Sequence, residues 1–83
     1  MKDYLGQKLN INDLVLIPDG YTNDFMYGEC RVLSFKPQKN GDFVEIERKF
    51  YTNKNIYSHS DKFKRLRTKI LNIQYNVDKL NNG

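Results

Sequence analysis

The sequence predicts a mainly β domain followed by one C-terminal amphipathic helix, and three observations carry that prediction. Apolar and polar residues alternate at period two in "GECRVLSF" (28–35) and "FVEIERKFY" (43–51), as in strands with one buried face. Between them, Asn40-Gly41 supplies the positive-φ residues that tight hairpins need. The last quarter then changes period: Phe63, Leu66, Ile70, Ile73, Val77 and Leu80 recur at steps of three and four, the stripe of a helix.

In chain order, "INDLVLIP" (11–18) reads as the first strand, with a Leu and Val content suited to a pleated surface, and Pro18-Asp19-Gly20 ends it. Residues 19–27 form a loop with turn residues early and aromatics late. In the second strand Cys30 and Val32 share one face and Glu29 and Arg31 the other. In the third, Val44, Ile46 and Phe50 alternate with Glu45, Glu47 and Lys49. "TNKN" is a turn, and "IYS" a short fourth strand. The helix is expected over about residues 61–80, capped by Ser58 or Ser60 and aided by Asp61 in its first turn. The alternative is that "KFKRL" continues the sheet and only residues 67–80 are helical.

With 83 residues the chain is one domain, and at this size it buries only about 60% of its unfolded surface. Cys30 is its single cysteine, so it forms no internal disulfide and fits a reducing, cytoplasmic setting. Cys30 and His59 are its only Cys and His residues, too few for a Cys/His zinc site. No apolar run approaches the ~20 residues that span a bilayer, and "MKDYLGQKLN" lacks the apolar core of a signal peptide. No membrane partner and no cofactor are therefore expected. Ten Asn, ten Lys, six Ile and six Tyr with no Ala or Trp reflect AT-rich codons, as in many phages, mobile elements and low-GC bacteria. The net charge of +4 is uneven: residues 1–30 carry −3, residues 31–60 +3 and residues 61–83 +4.

The segments "NDLVLIPDG", "YGECRVLSF" and "NGDFVEIE" resemble an SH3-like small barrel of the KOW or Tudor kind over about residues 9–58. In that pattern a Gly-Asp-x-Val strand, a loop, a Gly-x-Val strand and a tight hairpin succeed one another. Here Asn12-Asp13-Leu14-Val15 and Gly28-Glu29-Cys30 stand at the two motifs. The resemblance implies a barrel of four to five antiparallel strands that contacts RNA, DNA or protein through loops and an exposed sheet face. Peptide-binding SH3 domains use a Trp, and this chain has none, so polyproline recognition is not implied.

An enzyme is not expected. "SHSD" (58–61) holds the letters of a hydrolase triad, but neighbours in one turn do not converge as a triad must. Cys30 shares a strand face with Val32 and reads as a small buried hydrophobe. Glu45 and Glu47 read as a solvated sheet face.

Two binding surfaces remain. Lys62, Lys64, Arg65, Arg67 and Lys69 fall within eight residues, and a helix carrying them could meet phosphates. On the same helix Leu71 and Tyr75 would lie opposite the apolar seam, exposed once the seam packs on the barrel. Together with the loop residues Phe25, Met26 and Tyr27 they mark a surface for a protein partner, foreign or a second copy. The acidic front of the chain would repel phosphate. The expectation is therefore a non-enzymatic protein-interaction module, an adaptor or inhibitor, with a nucleic-acid-binding accessory protein as the alternative.

Overall fold

The computed structural model describes residues 1–22, 24–51 and 57–74. They form five strands: β1 (Leu14–Leu16), β2 (Glu29–Gln38), β3 (Gly41–Tyr51), β4 (Tyr57–Leu66) and β5 (Leu71–Asn72), with a single 3-10 turn, Arg67–Lys69, before β5. All neighbours are antiparallel, in the order β4-β3-β2-β1-β5. The last strand thus returns to pair with the first, with Val15 opposite Asn72 and Leu16 opposite Leu71.

The central hairpin follows the sequence pattern. Gln38 pairs with Gly41 across a turn at Lys39 and Asn40, and Gly41 has φ +139°, where a β-carbon would stand 2.8 Å from Cδ2 of Leu66. Period-two alternation then sends Cys30, Val32, Val44 and Ile46 into the core, which also holds Leu9, Val15, Ile17 and Ile70. Met1, Met26, Phe35 and Phe63 pack around it. A bulge between Val32 and Ser34 adds twist and bends β2. Asn12 adopts the left-handed φ of +72°, a conformation Asn tolerates better than most residues.

The predicted helix over 61–80 is not formed over residues 61–73. Residues 61–66 belong to β4, residues 67–69 to the 3-10 turn and residues 71–72 to β5; the remainder of the prediction, 75–80, lies outside the described residues. For "KFKRL" the strand alternative holds, but residues 67–72 are not α-helical. The reason is a second period hidden under the first. His59, Asp61, Phe63 and Arg65 alternate with Ser60, Lys62 and Lys64, and this register sets Phe63 opposite Ile46 and Asp61 opposite Arg48. Long-range pairing across β3 outweighs a helical stripe whose nucleation is unfavourable in isolation. Phe63 and Ile70 do pack on the core, but the 3-10 turn between them aims Ile70 there. The expected place of Asp61 in the first turn of a helix is replaced by its pairing with Arg48.

Gly28 opens β2 with φ +92°, and a β-carbon there would stand 3.0 Å from the Lys49 carbonyl oxygen and 3.0 Å from Cγ of Arg48. Gly28→Ala is expected to cost about 1–3 kcal/mol from strained backbone and crowding, read as a lower urea midpoint at unchanged slope. An unchanged midpoint would contradict this packing.

Candidate protein-interaction site

The site begins with a turn at the start of the chain. "DYLG" has Asp and Gly at the first and fourth positions of a β-turn, and the Gly6 amide donates to the Asp3 carbonyl at 3.1 Å. The Asp3 side chain is only 1% exposed. Its Oδ1 accepts the backbone amides of Leu5 (3.0 Å) and Gln7 (2.8 Å), and its Oδ2 accepts Gln7 Nε2 (2.9 Å) and the Asn72 amide (2.8 Å). Asn72 extends the network: its Nδ2 donates to the Lys8 carbonyl (2.8 Å) and to Oδ2 of Asp13 (2.9 Å), and its Oδ1 accepts the Gln74 amide (2.9 Å). Among the described residues no buried side-chain polar atom lacks a partner, the condition under which a buried network stabilises.

Burial of the Asp3 carboxyl works to raise its pKa, but the hydrogen bonds from Asn72, Gln7 and Leu5 outweigh it, and the net shift is downward. A charge with no ion-pair partner among the described residues is thus held by oriented N–H groups. The clasp fixes the chain above β5, and the Tyr4 amide adds a bond to the Ile70 carbonyl at 3.1 Å.

Tyr4 then forms one wall of a groove. Residues 17–19 pair with residues 24–26 as a ribbon: the Met26 amide donates to the Ile17 carbonyl (2.8 Å), Pro18 pairs with Phe25, and the Asp19 amide donates to the Asp24 carbonyl (2.9 Å). This brings Pro18 and Phe25 beside Leu71 of β5, with Tyr4, Thr68 and Lys69 completing a depression of about 320 Å³. A second depression of about 590 Å³ adjoins it, lined by Ile17, Asp19, Gly20, Tyr21, Met26 and Arg65, and shares Pro18 and Lys69. The two depressions border each other along Pro18 and Lys69, and together they are termed the trough.

The structure unites part of the predicted protein-binding set. Phe25 and Leu71 share the groove, and Met26 lies in the adjoining depression while also packing on the core. Tyr27 is 87% exposed and lines neither depression. Leu71 belongs to a strand, so its expected placement on the outer face of a helix is corrected. Tyr75 lies outside the described residues. Tyr4, Pro18 and Thr68 were not anticipated; the turn signature in "DYLG" was the available signal for Tyr4.

The basic set is dispersed. Lys62 and Lys64 stand on the outer face of β4 opposite Glu47 and Glu45, an arrangement of opposite charges that favours the sheet. Arg67 Nε lies 3.6 Å from Oδ2 of Asp42. Arg65 projects to the other face, its guanidinium 4.7 Å from the centre of the Phe63 ring, and Lys69 lines the trough. Strand alternation thus divides a cluster that a helix would have gathered.

Beyond the core on the inner face, Arg48 grips Asp61 through Nε–Oδ1 (3.1 Å) and Nη2–Oδ2 (2.7 Å). Its guanidinium lies 4.7 Å from the Phe50 ring centre and 5.5 Å from that of Phe63. The hydrogen bond from Arg48 lowers the Asp61 pKa. Exposed His59 stacks on Phe50 at 4.5 Å. Cys30 is buried, and burial pushes its thiol pKa up, the environment of an inert thiol. No group of three or more His, Cys, Asp or Glu side chains suited to a metal occurs among the described residues, and no helix among them is long and apolar enough to cross a membrane.

No family model, curated protein or solved structure matches the chain.

Asp3 has a direct test. With its folded pKa below the unfolded value of about 3.9, it contributes stability that is present above pH ~4 and is lost as pH falls through the folded pKa. Asp3→Asn would point an amide N–H₂ at donors and cost about 2–3 kcal/mol at neutral pH. Urea unfolding from pH 7 to 2 is expected to show a smaller acid loss for Asp3→Asn than for wild type. Parallel acid limbs would contradict the ionised clasp.

Proposed function

We propose that this chain is a non-enzymatic SH3-like binding module whose partner is another protein, received in the trough between Tyr4, Pro18, Phe25 and Leu71. The single observation that carries the proposal is that trough: three separate segments converge on it with apolar side chains, and one of them is held there by the Asp3 clasp. A small barrel is supported by the return of β5 to β1 and by the bulge that bends β2. The AT-rich residue usage supports a phage or mobile-element source, and the lone buried thiol supports a cytoplasmic setting.

A foreign protein is favoured over a second copy. Among the described residues β4 is an edge of the sheet, and Lys62 and Lys64 on it oppose edge-to-edge addition of an identical chain. Nucleic-acid binding through Lys62, Lys64, Arg65, Arg67 and Lys69 has less support, because three of those cations face carboxylates of the same sheet.

Affinity capture from the source cell with paired baits tests the proposal. Wild type is expected to retain a specific protein that Phe25→Ser loses, while both melt alike because Phe25 is 46% exposed. Leu71→Asp is expected to lose the same protein, and a mobility shift with DNA or RNA is expected to be absent at low salt. Identical captures by wild type and Phe25→Ser, or a tight shift, would count against it.

A further inference from the structure

Resting on the reading that the trough receives a protein, we infer that the ligand is an extended acidic segment. It sets an apolar side chain among Tyr4, Pro18, Phe25 and Leu71 and a carboxylate beside Arg65 and Lys69.

The dimensions of the groove suit one part of a longer ligand. About 320 Å³ lies at the lower limit for small-molecule sites, which bury most of their ligand. It accommodates one or two side chains and leaves the rest of the ligand outside. The adjoining depression shares Pro18 and Lys69 with it, so an elongated ligand crosses both. In an extended chain, residues two apart point to the same side at a spacing of about 6–7 Å, which lets neighbouring side chains of one segment serve both depressions.

Charge gives the ligand its sign. Of the five cations between residues 62 and 69, Lys62 and Lys64 face Glu47 and Glu45, and Arg67 pairs with Asp42. Arg65 and Lys69 have no carboxylate partner among the described residues, and these are the two that line the trough. Arg65 is held in place: its guanidinium lies over Phe63 at 4.7 Å, and Nη1 donates to the Lys64 carbonyl at 2.8 Å. Its other donors remain for a planar carboxylate, the group a guanidinium matches best. Asp19 stands on the same rim, its Oδ1 accepting the Tyr21 amide at 3.0 Å. That carboxylate repels a continuous polyanion and tolerates a single acid placed toward Arg65 and Lys69. Nucleic acid is disfavoured and an acidic, apolar peptide is favoured by the same geometry.

Random peptides displayed on phage, selected against the immobilised intact protein, test this. The enriched sequences are expected to combine Leu, Ile, Phe or Tyr with Asp or Glu at close spacing. Synthetic versions are expected to bind Lys69→Glu and Arg65→Gln at least about tenfold more weakly than wild type and to weaken as salt rises. Thermal melts accompany each variant; if Arg65→Gln unfolds, exposed Lys69→Glu decides. Enriched peptides that lose binding to Phe25→Ser but carry no excess of acid would overturn the acidic ligand and leave the protein-binding trough standing. Peptides indifferent to Phe25→Ser, or no enrichment at all, would overturn both.

Discussion

The contact between the Asp3 carboxylate and the Asn72 amide, 2.8 Å long and 69 residues apart in sequence, is the constraint on which the rest of the binding surface depends. β5 is only two residues long and pairs with the three-residue β1. A strand that short makes too few ladder bonds to hold an edge by itself, and its backbone would fray. Asp3 accepts four N–H donors and so joins the start of the chain to β5. Asn72 passes the connection on to Lys8 and Asp13, which ties the same strand to the entry of β1. The exchange is of hydration for directed bonds: a buried carboxylate is expensive unless its lone pairs are filled, and here they are.

From that clasp the trough follows as geometry. Tyr4 comes directly after Asp3, and Leu71 directly before Asn72, so fixing the two polar residues places the two apolar ones. The third wall, Pro18 and Phe25, arrives by a different route, the hydrogen-bonded pairing of residues 17–19 with 24–26. The opposite end of the inner face is finished by Arg48, which lies over Phe50 and Phe63 and is neutralised by Asp61. A Trp is what many small domains would use as such a cover; a guanidinium spread across aromatic rings does similar packing here.

Much of the central sheet was legible in the sequence. Alternation in 28–35 and 43–51 and the Asn40-Gly41 signal give β2, β3 and their hairpin, and Cys30 reads correctly as core. Residues 61–72 read as helix because Phe63, Leu66 and Ile70 satisfy a step of three and four by coincidence. In the fold Phe63 and Ile70 face the core, while Leu66 stands opposite Phe43. A period-two reading of the same residues was available, since Lys62 and Lys64 flank Phe63, but only the register against Ile46 and Arg48 decides between them. That information is non-local. The same holds for the basic cluster: adjacency in sequence becomes separation in a strand. The clasp was invisible for the strongest version of this reason, since nothing local to Asp3 or Asn72 announces their contact, and Asp3 counted only as one charge of an acidic front.

Native-state hydrogen exchange at the Asn72 amide tests the central claim most directly. If the Asp3 carboxylate locks β5 to the chain start, that amide exchanges only through global unfolding, with the same free energy as the amides of Val32 and Ile46 in the middle of the sheet. Exchange of the Asn72 amide by local fraying, orders of magnitude faster than those central amides, would contradict the account.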